Sequence, residues 1–320
     1  MPDTIRLISG TANPEFTQRI LDSLQEQSVK SKIVETDIGH FPDGETKVRI
    51  RETVRGCHLY VIQATCPPVN DNLIELCAIL DALKRASAAT KTAVIPYYGY
   101  ARQERKELPR VPISAKMVAM FIEAVGADRV IAMDLHAAAI QGFFEIPVDN
   151  LHAYPVIAKN LGESLTRPDT VIVSPDVGGT VRARMLAEHI GAELAIIEKR
   201  RDQSSGELES FRVIGDVEGK ITILHDDIIA SGTTLIRAAD LLHEAGASEV
   251  WATATHGVLT GTAVQAITNS RIRSITVTDT IPAQQEEGSK FFRVSVASVF
   301  ADAIRRIHEN RSVSAIFDHS

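Results

Sequence analysis

Long apolar runs, paired cysteines and an excess of positive charge are all missing from this sequence of 320 residues. No stretch approaches the roughly 18 to 20 apolar residues of a membrane-spanning helix, so a membrane partner is not expected. The three cysteines, Cys57, Cys66 and Cys77, cannot all pair and lack the spacing of a metal site, which favours a reducing compartment. The first residues show no basic region followed by an apolar run. Together these absences predict a cytoplasmic protein.

The charge balance excludes some partners and leaves others open. A net charge of -7 and a pI near 5.8 argue against nucleic acid or an acidic membrane surface as a partner. They leave open an anionic small-molecule substrate, because local clusters of charge decide such binding. With 44% hydrophobic residues and no low-complexity segment, the chain can bury two cores, and we expect two domains.

One stretch, residues 220–235, is the strongest functional signal. Its apolar, β-branched start predicts a buried strand that carries Asp226 and Asp227 to its C-terminal end, where open α/β sheets bind ligands. Five small residues follow: Ala230, Ser231, Gly232, Thr233 and Thr234. They lead into a helical pattern, and the free N–H groups of a helix N-terminus bind phosphate. The stretch therefore suits a sugar phosphate whose hydroxyls the carboxylates hold; the alternative is a strand end and a capped helix that bind nothing.

Polar segments follow two other predicted strands in the C-terminal half. A glycine turn containing Asp176 comes after the strand at 170–174, and the cations Lys199, Arg200 and Arg201 come after the strand at 193–197. Each segment has an ordinary structural alternative, a turn that needs left-handed glycine in the first case and a solvated patch in the second. Beside a phosphate-binding turn, anion binding is the better interpretation.

The N-terminal half contributes three more candidate segments. Residues 41–45 form a turn with an aromatic and two acidic residues. Residues 97–110 form a loop rich in Arg and Lys that is longer than an ordinary strand-to-helix connection. A strand at 129–133 presents Asp134 and His136 at its end. The long loop suits closure over a phosphate chain, and a merely solvated loop is the alternative.

Two parts of the chain repeat each other. Residues 125–136 align with 245–256, with Gly, Ala, Val, Ala and His at matching places, and the strand at 92–96 aligns with 221–225. In this alignment the first copy is longer, and its extra residues fall in the Arg-rich loop. We therefore predict two copies of one α/β unit, the first of which has a long flap in place of the phosphate turn.

Several motifs, taken in order, show a resemblance to a known family. They are FPDGE, PYYGYARQERK, MDLHA, GFFEIPVDNL, SPDVGG, EKRR, DDIIASGTT, ATHGVL and SVSAIF. With them the chain resembles the ribose-phosphate pyrophosphokinases from about Ile5 to Phe317. The resemblance implies an α/β fold, a tandem of two type I phosphoribosyltransferase-like domains with mainly parallel central sheets. We expect an N-terminal domain over 1–150, with the 309–320 tail packing near it, and a C-terminal domain over 151–308.

The resemblance also implies an activity, the transfer of diphosphate from Mg-ATP to the 1-hydroxyl of ribose 5-phosphate with release of AMP. It implies catalytic roles for Lys199 and Arg201 and magnesium-linked roles for His136 and Asp176. The residues that it assigns to ATP are Phe41, Asp43, Gly44, Glu45, Arg102 and Gln103. Those that it assigns to ribose 5-phosphate are Arg201, Asp226, Asp227, Ala230, Ser231, Gly232, Thr233 and Thr234.

Regulation is implied by the same resemblance. Thr53, Arg55, Ser312 and Ser314 match a phosphate and ADP site that the orthophosphate-activated class builds between subunits. We therefore expect activation by orthophosphate, inhibition by ADP and a homo-oligomer, which is a hexamer in that family.

Ala230 departs from the family pattern, which has an acidic residue at that place, and Ser231 and Thr233 are also substituted. Because alanine neither acts as a base nor accepts a hydrogen bond, one alternative is a catalytically weak or inactive regulatory subunit of the synthetase. A second alternative, a non-enzymatic associated subunit, would carry an insertion after the Arg-rich segment, and the sequence has none. A third, a phosphoribosyltransferase that uses the product, would need one copy of the fold rather than two.

Overall fold

The computed structural model describes residues 4–162, 165, 169–201, 208–283 and 288–317, and for residues 199–201 and 208–210 it describes the backbone alone. In chain order its elements are β1 (Ile5–Ser9), α1 (Pro14–Glu26), β2 (Ser31–Ile33), β3 (Thr36–His40), β4 (Thr46–Ile50), β5 (His58–Ile62), α2 (Val69–Arg85), β6 (Thr90–Ile95), α3 (Ser114–Ala124), β7 (Arg129–Met133), β8 (Val148–Leu151), α4 (Tyr154–Leu161), β9 (Thr170–Ser174), α5 (Thr180–Ile190), β10 (Glu193–Arg201), β11 (Leu208–Ile214), β12 (Ile221–Ile229), α6 (Thr233–Glu244), β13 (Glu249–Gly257), α7 (Ala263–Thr268), β14 (Ile275–Thr278), β15 (Phe291–Val294) and α8 (Ala297–His308). Short 3-10 segments lie at Ala138–Phe143 and Ser314–Ile316. None of the described helices is long and apolar enough to cross a membrane.

The described chain divides into two compact units. The first comprises residues 4–152, 280–282 and 296–317, and the second comprises residues 153–279 and 283–295. Each unit is built around its own sheet and its own buried apolar cluster.

The sheet of the first unit has the order β2-β1-β5-β6-β7-β8, and every neighbouring pair is parallel. Helix α2 buries one face because its large apolar residues recur at helical spacing, and the buried ones include Leu73, Leu76, Ile79, Leu80 and Leu83. Strands β3 and β4 form a separate antiparallel hairpin that pairs His40 with Thr46. Three apolar residues of this hairpin pack against the same core: Ile38, Val48 and Ile50.

The sheet of the second unit has the order β11-β10-β9-β12-β13-β14-β15. Its neighbouring pairs are parallel except for β10 and β11, which are antiparallel. Helix α6 packs on it with the buried residues Leu235, Ala238, Ala239 and Leu242. The expected α/β class with two mainly parallel sheets is therefore confirmed.

The C-terminal helix α8 groups with the first unit, whereas our expected C-terminal domain of 151–308 included it. Phe300 of α8 is fully buried and packs edge-on against Phe16 of α1, with ring centroids 5.4 Å apart. Farther along, the ring of Phe317 lies 5.4 Å from that of His152. The sequence shows the apolar face of α8 but carries no local signal of which sheet that face covers, which is why the expected boundary was wrong for this helix.

The two sheets share one strand order, which supports the internal repeat. The predicted alignment, however, pairs each strand of the first unit with the strand that precedes its true equivalent in the second unit. Counted from β2 and from β10, the third and fourth positions are β5 and β6 in one sheet and β12 and β13 in the other. The long loop after β6 therefore corresponds to the connection after β13, and the turn after β12 corresponds to the connection after β5. The misleading similarity comes from glycines that end helices before a strand, since Gly126 and Gly246 both have positive φ.

Two strands of the second unit extend farther than expected. Strand β12 continues through Asp226 and Asp227 to Ile229 because its last residues pair with β13. Strand β10 continues to Arg201 because it pairs with β11, a strand that the sequence analysis did not predict. Both extensions pass beyond Ser174, the last residue of the intervening strand β9.

Candidate active site

The polar groups of the second unit converge where β9 and β12 lie side by side. From β9 the chain returns through α5 to β10 on one side, and from β12 it returns through α6 to β13 on the other side. Such a reversal opens a crevice at the C-terminal ends of the strands, and it is where open α/β sheets bind ligands.

The glycine turn after β9 points a carboxylate into this crevice. Ser174 Oγ donates a hydrogen bond to the Asp176 carbonyl oxygen (2.6 Å), and the Gly179 N–H donates to Asp176 Oδ1 (2.9 Å). A Cβ atom at Gly179 would lie 3.0 Å from Ser174 Oγ, 3.7 Å from Asp176 Oδ1 and 3.9 Å from Asp226 Oδ1. The absence of a side chain at Gly179 therefore keeps a small space between two carboxylates.

Asp226 and Asp227 differ in their surroundings although they are adjacent. Asp227 is 2% exposed, and the guanidinium of Arg182 on α5 lies 3.1 Å from its Oδ1. Burial, together with the charge of Asp227, raises the pKa of Asp226 to about 8, and Arg182 opposes the shift. At neutral pH the pair therefore favours one carboxylate and one protonated carboxyl, which can both accept and donate hydrogen bonds.

The predicted phosphate turn, residues 230–234, opens helix α6. Gly232 has φ of +75°, a conformation that glycine adopts without steric cost, and it directly precedes the first helical residue. Ser231, Thr233 and Thr234 are exposed, and the Ser231 hydroxyl donates to Thr233 Oγ1 (3.2 Å). The Ala230 carbonyl oxygen accepts from the Thr260 N–H (3.0 Å), which ties the turn to the neighbouring connection. The hydroxyls of these exposed residues, together with the N-terminus of α6, fit a phosphate.

Lys199 and Arg201, the predicted catalytic pair, lie in the part of β10 that runs beyond β9. Their backbones pair with β11, with Lys199 opposite Phe211 and Arg201 opposite Leu208. Their side chains lie outside the described part of the structure, so their roles stay predictions.

The crevice contains donors suited to magnesium. Mg²⁺ prefers oxygen ligands, keeps several waters and is commonly held by one or two carboxylates together with substrate phosphates. Asp176 and Asp226 supply such oxygens around Gly179. Among the described residues, no group of three or more His, Cys, Asp or Glu side chains could by itself hold a metal ion. The donor set therefore fits a cation that protein and substrate bind jointly.

In the first unit, the predicted adenine-binding residues form the tip of the β3–β4 hairpin. Phe41, Asp43, Gly44 and Glu45 are all exposed, and the ring of Phe41 is 47% exposed. The Glu45 N–H donates to Asp43 Oδ1 (3.1 Å), and Gly44 has φ of +92°. Lys47 Nζ lies 6.0 Å from the Phe41 ring centroid. An exposed aromatic beside carboxylates on a rigid turn can stack on a planar base.

The long loop between β6 and α3 is anchored at its start and exposed farther on. The Tyr98 hydroxyl donates to the Ala115 carbonyl oxygen (2.9 Å), and the Tyr100 hydroxyl donates to Asn70 Oδ1 (2.5 Å). Arg102 and Gln103 are exposed, and Ser114 Oγ donates to Gln103 Oε1 (2.6 Å). These anchors present Arg102 at the surface beside the helix start.

His136 follows β7 in the first unit and is half-buried. It comes two residues after Asp134, which has φ of +41° and lies 3.0 Å from His152 Nδ1 through its Oδ1. Asp176 belongs to the second unit, so the two magnesium-linked residues come from different units of the chain.

The four predicted regulatory residues are exposed and fall into two pairs. Thr53 and Arg55 lie between β4 and β5, and the Thr53 carbonyl oxygen accepts from Arg6 Nη1 (3.1 Å). The hydroxyls of Ser312 and Ser314 lie 2.8 Å apart after α8. Within the described chain no hydrogen bond joins one pair to the other. That arrangement is compatible with a site shared between subunits, which stays a prediction.

Sequence reasoning missed Arg182, the residue that pairs with the buried Asp227. Its one local signal is a basic side chain at the start of the helix after a glycine turn. Nothing in the sequence shows that this side chain reaches a strand more than 40 residues away, because the contact depends on the packing of α5 beside β12.

Comparisons with known proteins agree with this geometry. Residues 5–126 match the family described as the N-terminal domain of ribose phosphate pyrophosphokinase, and residues 202–318 match the phosphoribosyl synthetase-associated domain. The chain is 49% identical to a ribose-phosphate pyrophosphokinase of Caldanaerobacter subterraneus over 98% of each chain. It is 48% identical to that of Shewanella oneidensis over the full length of both.

A solved structure also resembles this one. The crystal structure of phosphoribosylpyrophosphate synthetase from Mycobacterium smegmatis is 39% identical in sequence, with a TM-score of 0.89. The match covers 96% of this chain and 99% of that chain. Full-length identity near one half, the two matching family models and the shared fold agree. The chain belongs to the ribose-phosphate pyrophosphokinase family of transferases.

Proposed function

We propose that the chain transfers the β,γ-diphosphoryl group of Mg-ATP to the 1-hydroxyl of ribose 5-phosphate, giving 5-phosphoribosyl 1-diphosphate and AMP. The observation that carries the proposal is the convergence of the Asp176 turn, the Asp226–Asp227 pair and the turn at 230–234 at one crevice of the second unit. The names of the relatives supply the reaction class.

The crevice has a separate feature for each part of a sugar phosphate. The 5-phosphate would accept hydrogen bonds from N–H groups and hydroxyls of residues 230–234 at the start of α6. A ribose hydroxyl both donates and accepts a hydrogen bond. One ribose hydroxyl would donate to the Asp227 carboxylate that Arg182 holds, and the other would donate to the Asp226 carboxylate, which is charged when a cation beside Gly179 compensates it. The pair thus orients the ribose ring through its hydroxyls.

The transfer needs alignment and charge neutralisation more than covalent help from the protein. The 1-hydroxyl oxygen bonds to the β-phosphorus as the bond from that phosphorus to the α,β-bridging oxygen breaks. The bridging oxygen leaves as part of AMP, and the hydroxyl proton passes to solvent water. Lys199 and Arg201 would stabilise the developing charge on the phosphoryl oxygens as a point charge and a planar fork. They lie on β10, beside β9, in the same unit as the proposed sugar site.

Magnesium would be held by Asp176 and by oxygens of the nucleotide, with His136 as the second residue that the family resemblance implies. When bound, it would neutralise the phosphate oxygens and polarise the transferred group. The protein's own part is to keep the two carboxylates near Gly179 apart and accessible.

The adenine would stack on Phe41 at the exposed hairpin tip, with Arg102 and Gln103 against the phosphates. Because that tip is exposed, it can serve a neighbouring subunit, and we propose a homo-oligomer, a hexamer by family resemblance. Light scattering of the purified protein measures the subunit number directly, and a monomer at working concentration would contradict this part of the proposal.

The test is formation of AMP and 5-phosphoribosyl 1-diphosphate by purified protein from Mg-ATP and ribose 5-phosphate, with and without orthophosphate and with ADP. We expect equimolar products, stimulation by orthophosphate through the Thr53, Arg55, Ser312 and Ser314 site, and inhibition by ADP. A rate indifferent to both effectors would remove the regulatory proposal while leaving the reaction intact.

Ala230 favours a second candidate, a regulatory subunit, because its methyl group cannot replace the acid expected at this place. Folded protein that binds ATP yet forms no product under any of these conditions would support that candidate. Ala230→Asp is then the informative variant, since gain of product formation would assign the defect to that residue.

A further inference from the structure

The strand pair that carries Lys199 projects beyond its neighbouring strand β9. Strand β10 pairs with β9 from Glu193 to Ile196, and from Ile197 onward its described ladder is formed with β11 alone. An isolated two-stranded ribbon is at best marginally stable in water. A register shift between Arg200 and Arg201 further interrupts the ladder. The outer ribbon, defined as residues 197–201 and 208–213, therefore needs support from another element.

Packing beneath the outer ribbon is incomplete. A cavity of about 200 Å³ lies between the ribbon and α6. Its walls are Pro175, Ile197, Phe211, Thr233, Thr234, Arg237, Ala238 and Leu241. The wall residues Thr233 and Thr234 belong to the phosphate turn. Close packing of apolar side chains alone therefore cannot hold the outer ribbon against α6.

One polar contact spans this gap. The guanidinium carbon of Arg237 lies 3.9 Å from the centroid of the Phe211 ring, well within the range of a cation–π interaction. Phe211 is the residue that pairs with Lys199 across the ribbon. Arg237 lies one helical turn after Thr233, so the same helix carries the phosphate turn and the arginine.

We propose that Arg237 is a positioning residue that, by stacking on Phe211, sets the outer ribbon and the backbone of Lys199 relative to the phosphate turn. The proposal rests on the proposed function, because Lys199 is assigned to catalysis there. Arg237 itself need not touch either substrate. Its loss should lower the fraction of molecules whose ribbon is docked, and so lower kcat, while the phosphate turn continues to bind the sugar.

The experiment compares Arg237→Met, Phe211→Leu and the double variant with the wild type. Both single changes keep apolar bulk while removing the cation or the ring. We expect kcat to fall by about three- to fivefold in each single variant, as the strength of an exposed cation–π contact suggests. The KM values for ATP and ribose 5-phosphate should change by less than about twofold. The double variant should be no slower than either single variant, because both remove one interaction.

Conservative variants separate positioning from general packing. Arg237→Lys and Phe211→Trp each retain a cation or a ring face, so both should keep most of the wild-type kcat. The matched control is Arg273→Met in the same unit, since Arg273 lies 5.9 Å from the Trp251 ring centroid near the N-terminal ends of the strands. That control should leave kcat unchanged.

Amide hydrogen exchange supplies a readout that does not depend on activity. In Arg237→Met, exchange at residues 211–214 should speed up, whereas exchange in β13 should not change. Faster exchange with wild-type kcat would overturn the positioning role, and so would a loss of kcat that Arg237→Lys fails to rescue. If the wild type forms no product, the proposed function fails. Unchanged exchange at 211–214 in Arg237→Met would then reject the structural half of this proposal independently.

Discussion

The crevice between β1 and β5 in the first unit and the crevice between β9 and β12 in the second occupy the same place in sheets of the same strand order, but different groups fill them. In the first unit the protein's own side chains close the crevice. Gln63 and Glu75 are 1% and 3% exposed, and a Cβ atom at Gly10 would lie 2.1 Å from Gln63 Oε1. The Thr11 N–H and hydroxyl donate to the Glu75 carboxylate at 2.7 and 2.6 Å, and Gln63 Nε2 donates to it at 2.8 Å.

Among the described residues of the second unit, no comparable pair of buried side chains fills the crevice between β9 and β12. This crevice holds the Asp176 and Asp226 carboxyls around an open position at Gly179, and burial together with the charge of Asp227 raises the pKa of Asp226. Groups with perturbed pKa values in a cleft are typical of functional sites. The comparison supports our proposal that the second unit binds the sugar phosphate in its open crevice, and that the first unit, whose crevice is filled, contributes through its hairpin and long loop.

The largest effect should come from Lys199→Ala. We expect kcat to fall by about 100-fold or more, because removing one preorganised charge from such a transfer costs about 3 to 4 kcal/mol of transition-state stabilisation. Steady-state kinetics should show a much smaller change in the KM for ribose 5-phosphate. Lys159→Ala, an exposed position of α4, is the control and should be neutral. Near-wild-type turnover in Lys199→Ala would break the assignment of the chemistry to the second unit.

Asp226→Ala tests whether the open crevice holds the sugar. Loss of a carboxyl that hydrogen-bonds a ribose hydroxyl should raise the dissociation constant for ribose 5-phosphate by about 10- to 100-fold. Isothermal titration calorimetry measures this without turnover. Asp169→Asn, at an exposed site of the same unit, should bind as the wild type does. Equal affinity in Asp226→Ala and the wild type would place the sugar elsewhere.

The stability of the ligand-free protein should depend on pH through Asp226. Its carboxyl titrates near 8 in the folded state and near 3.8 in the unfolded state, so the folded state binds more protons between these values. The contribution is present in full below about pH 4 and is lost as pH rises to about 8, by at most about 1.4 kcal/mol for each pH unit. Chemical unfolding at several pH values should show a shallower slope for Asp226→Asn. An unchanged slope would mean that Asp226 titrates normally.

Gly179→Ala should fill the space between the carboxylates. The backbone there has φ of -81°, which alanine adopts freely, so the fold should tolerate the change if the Ser174 hydroxyl, 3.0 Å from the added Cβ, shifts slightly. The added methyl group should weaken ribose 5-phosphate binding in the presence of Mg²⁺ by about tenfold, as a loss of about 1.4 kcal/mol. Gly178→Ala is the matched control, because its Cβ would approach Asp176 Oδ1 but not Asp226. Equal effects of the two variants would show that the space at Gly179 has no special role.

Glu75→Gln should have the smallest effect on catalysis and should act on stability instead. The amide replaces a carboxylate that accepts from Thr11 and Gln63, so we expect a loss of about 1 to 3 kcal/mol in the free energy of unfolding. Activity of the folded variant should stay within about twofold of the wild type. Glu26→Gln on the exposed side of α1 serves as the control. A large loss of ribose 5-phosphate affinity in Glu75→Gln would contradict the claim that the first-unit crevice is filled by side chains and does not bind the sugar.

Local patterns in the sequence were sufficient for much of the fold. The bounds of β7 and β9 were predicted as observed, since short apolar runs between turn residues mark buried parallel strands. The turn at 230–234 and the Asp176 turn were also found from residue type alone, because glycine and small polar residues have definite roles before a helix.

Features that depend on distant parts of the chain could not be predicted in this way. The full length of β12 depends on pairing with β13, and the charge that pairs with the buried Asp227 comes from Arg182 on a different element. The alignment of the two copies failed because Gly126 and Gly246 mark the ends of helices, and a glycine that ends a helix does not identify which strand follows it. The correct alignment of the two copies follows from the order of the strands in each sheet. That order is set only when the core assembles, so the sequence does not reveal it locally.

Hydrogen exchange of the wild-type protein with and without ribose 5-phosphate tests the contrast between the two crevices most directly. The account predicts slower exchange at residues 226–236, around the open crevice of the second unit, and no change at residues 10–13 and 63–66 of the first. Protection at the first-unit segments, or none at residues 226–236 under saturating ribose 5-phosphate and Mg²⁺, would contradict it.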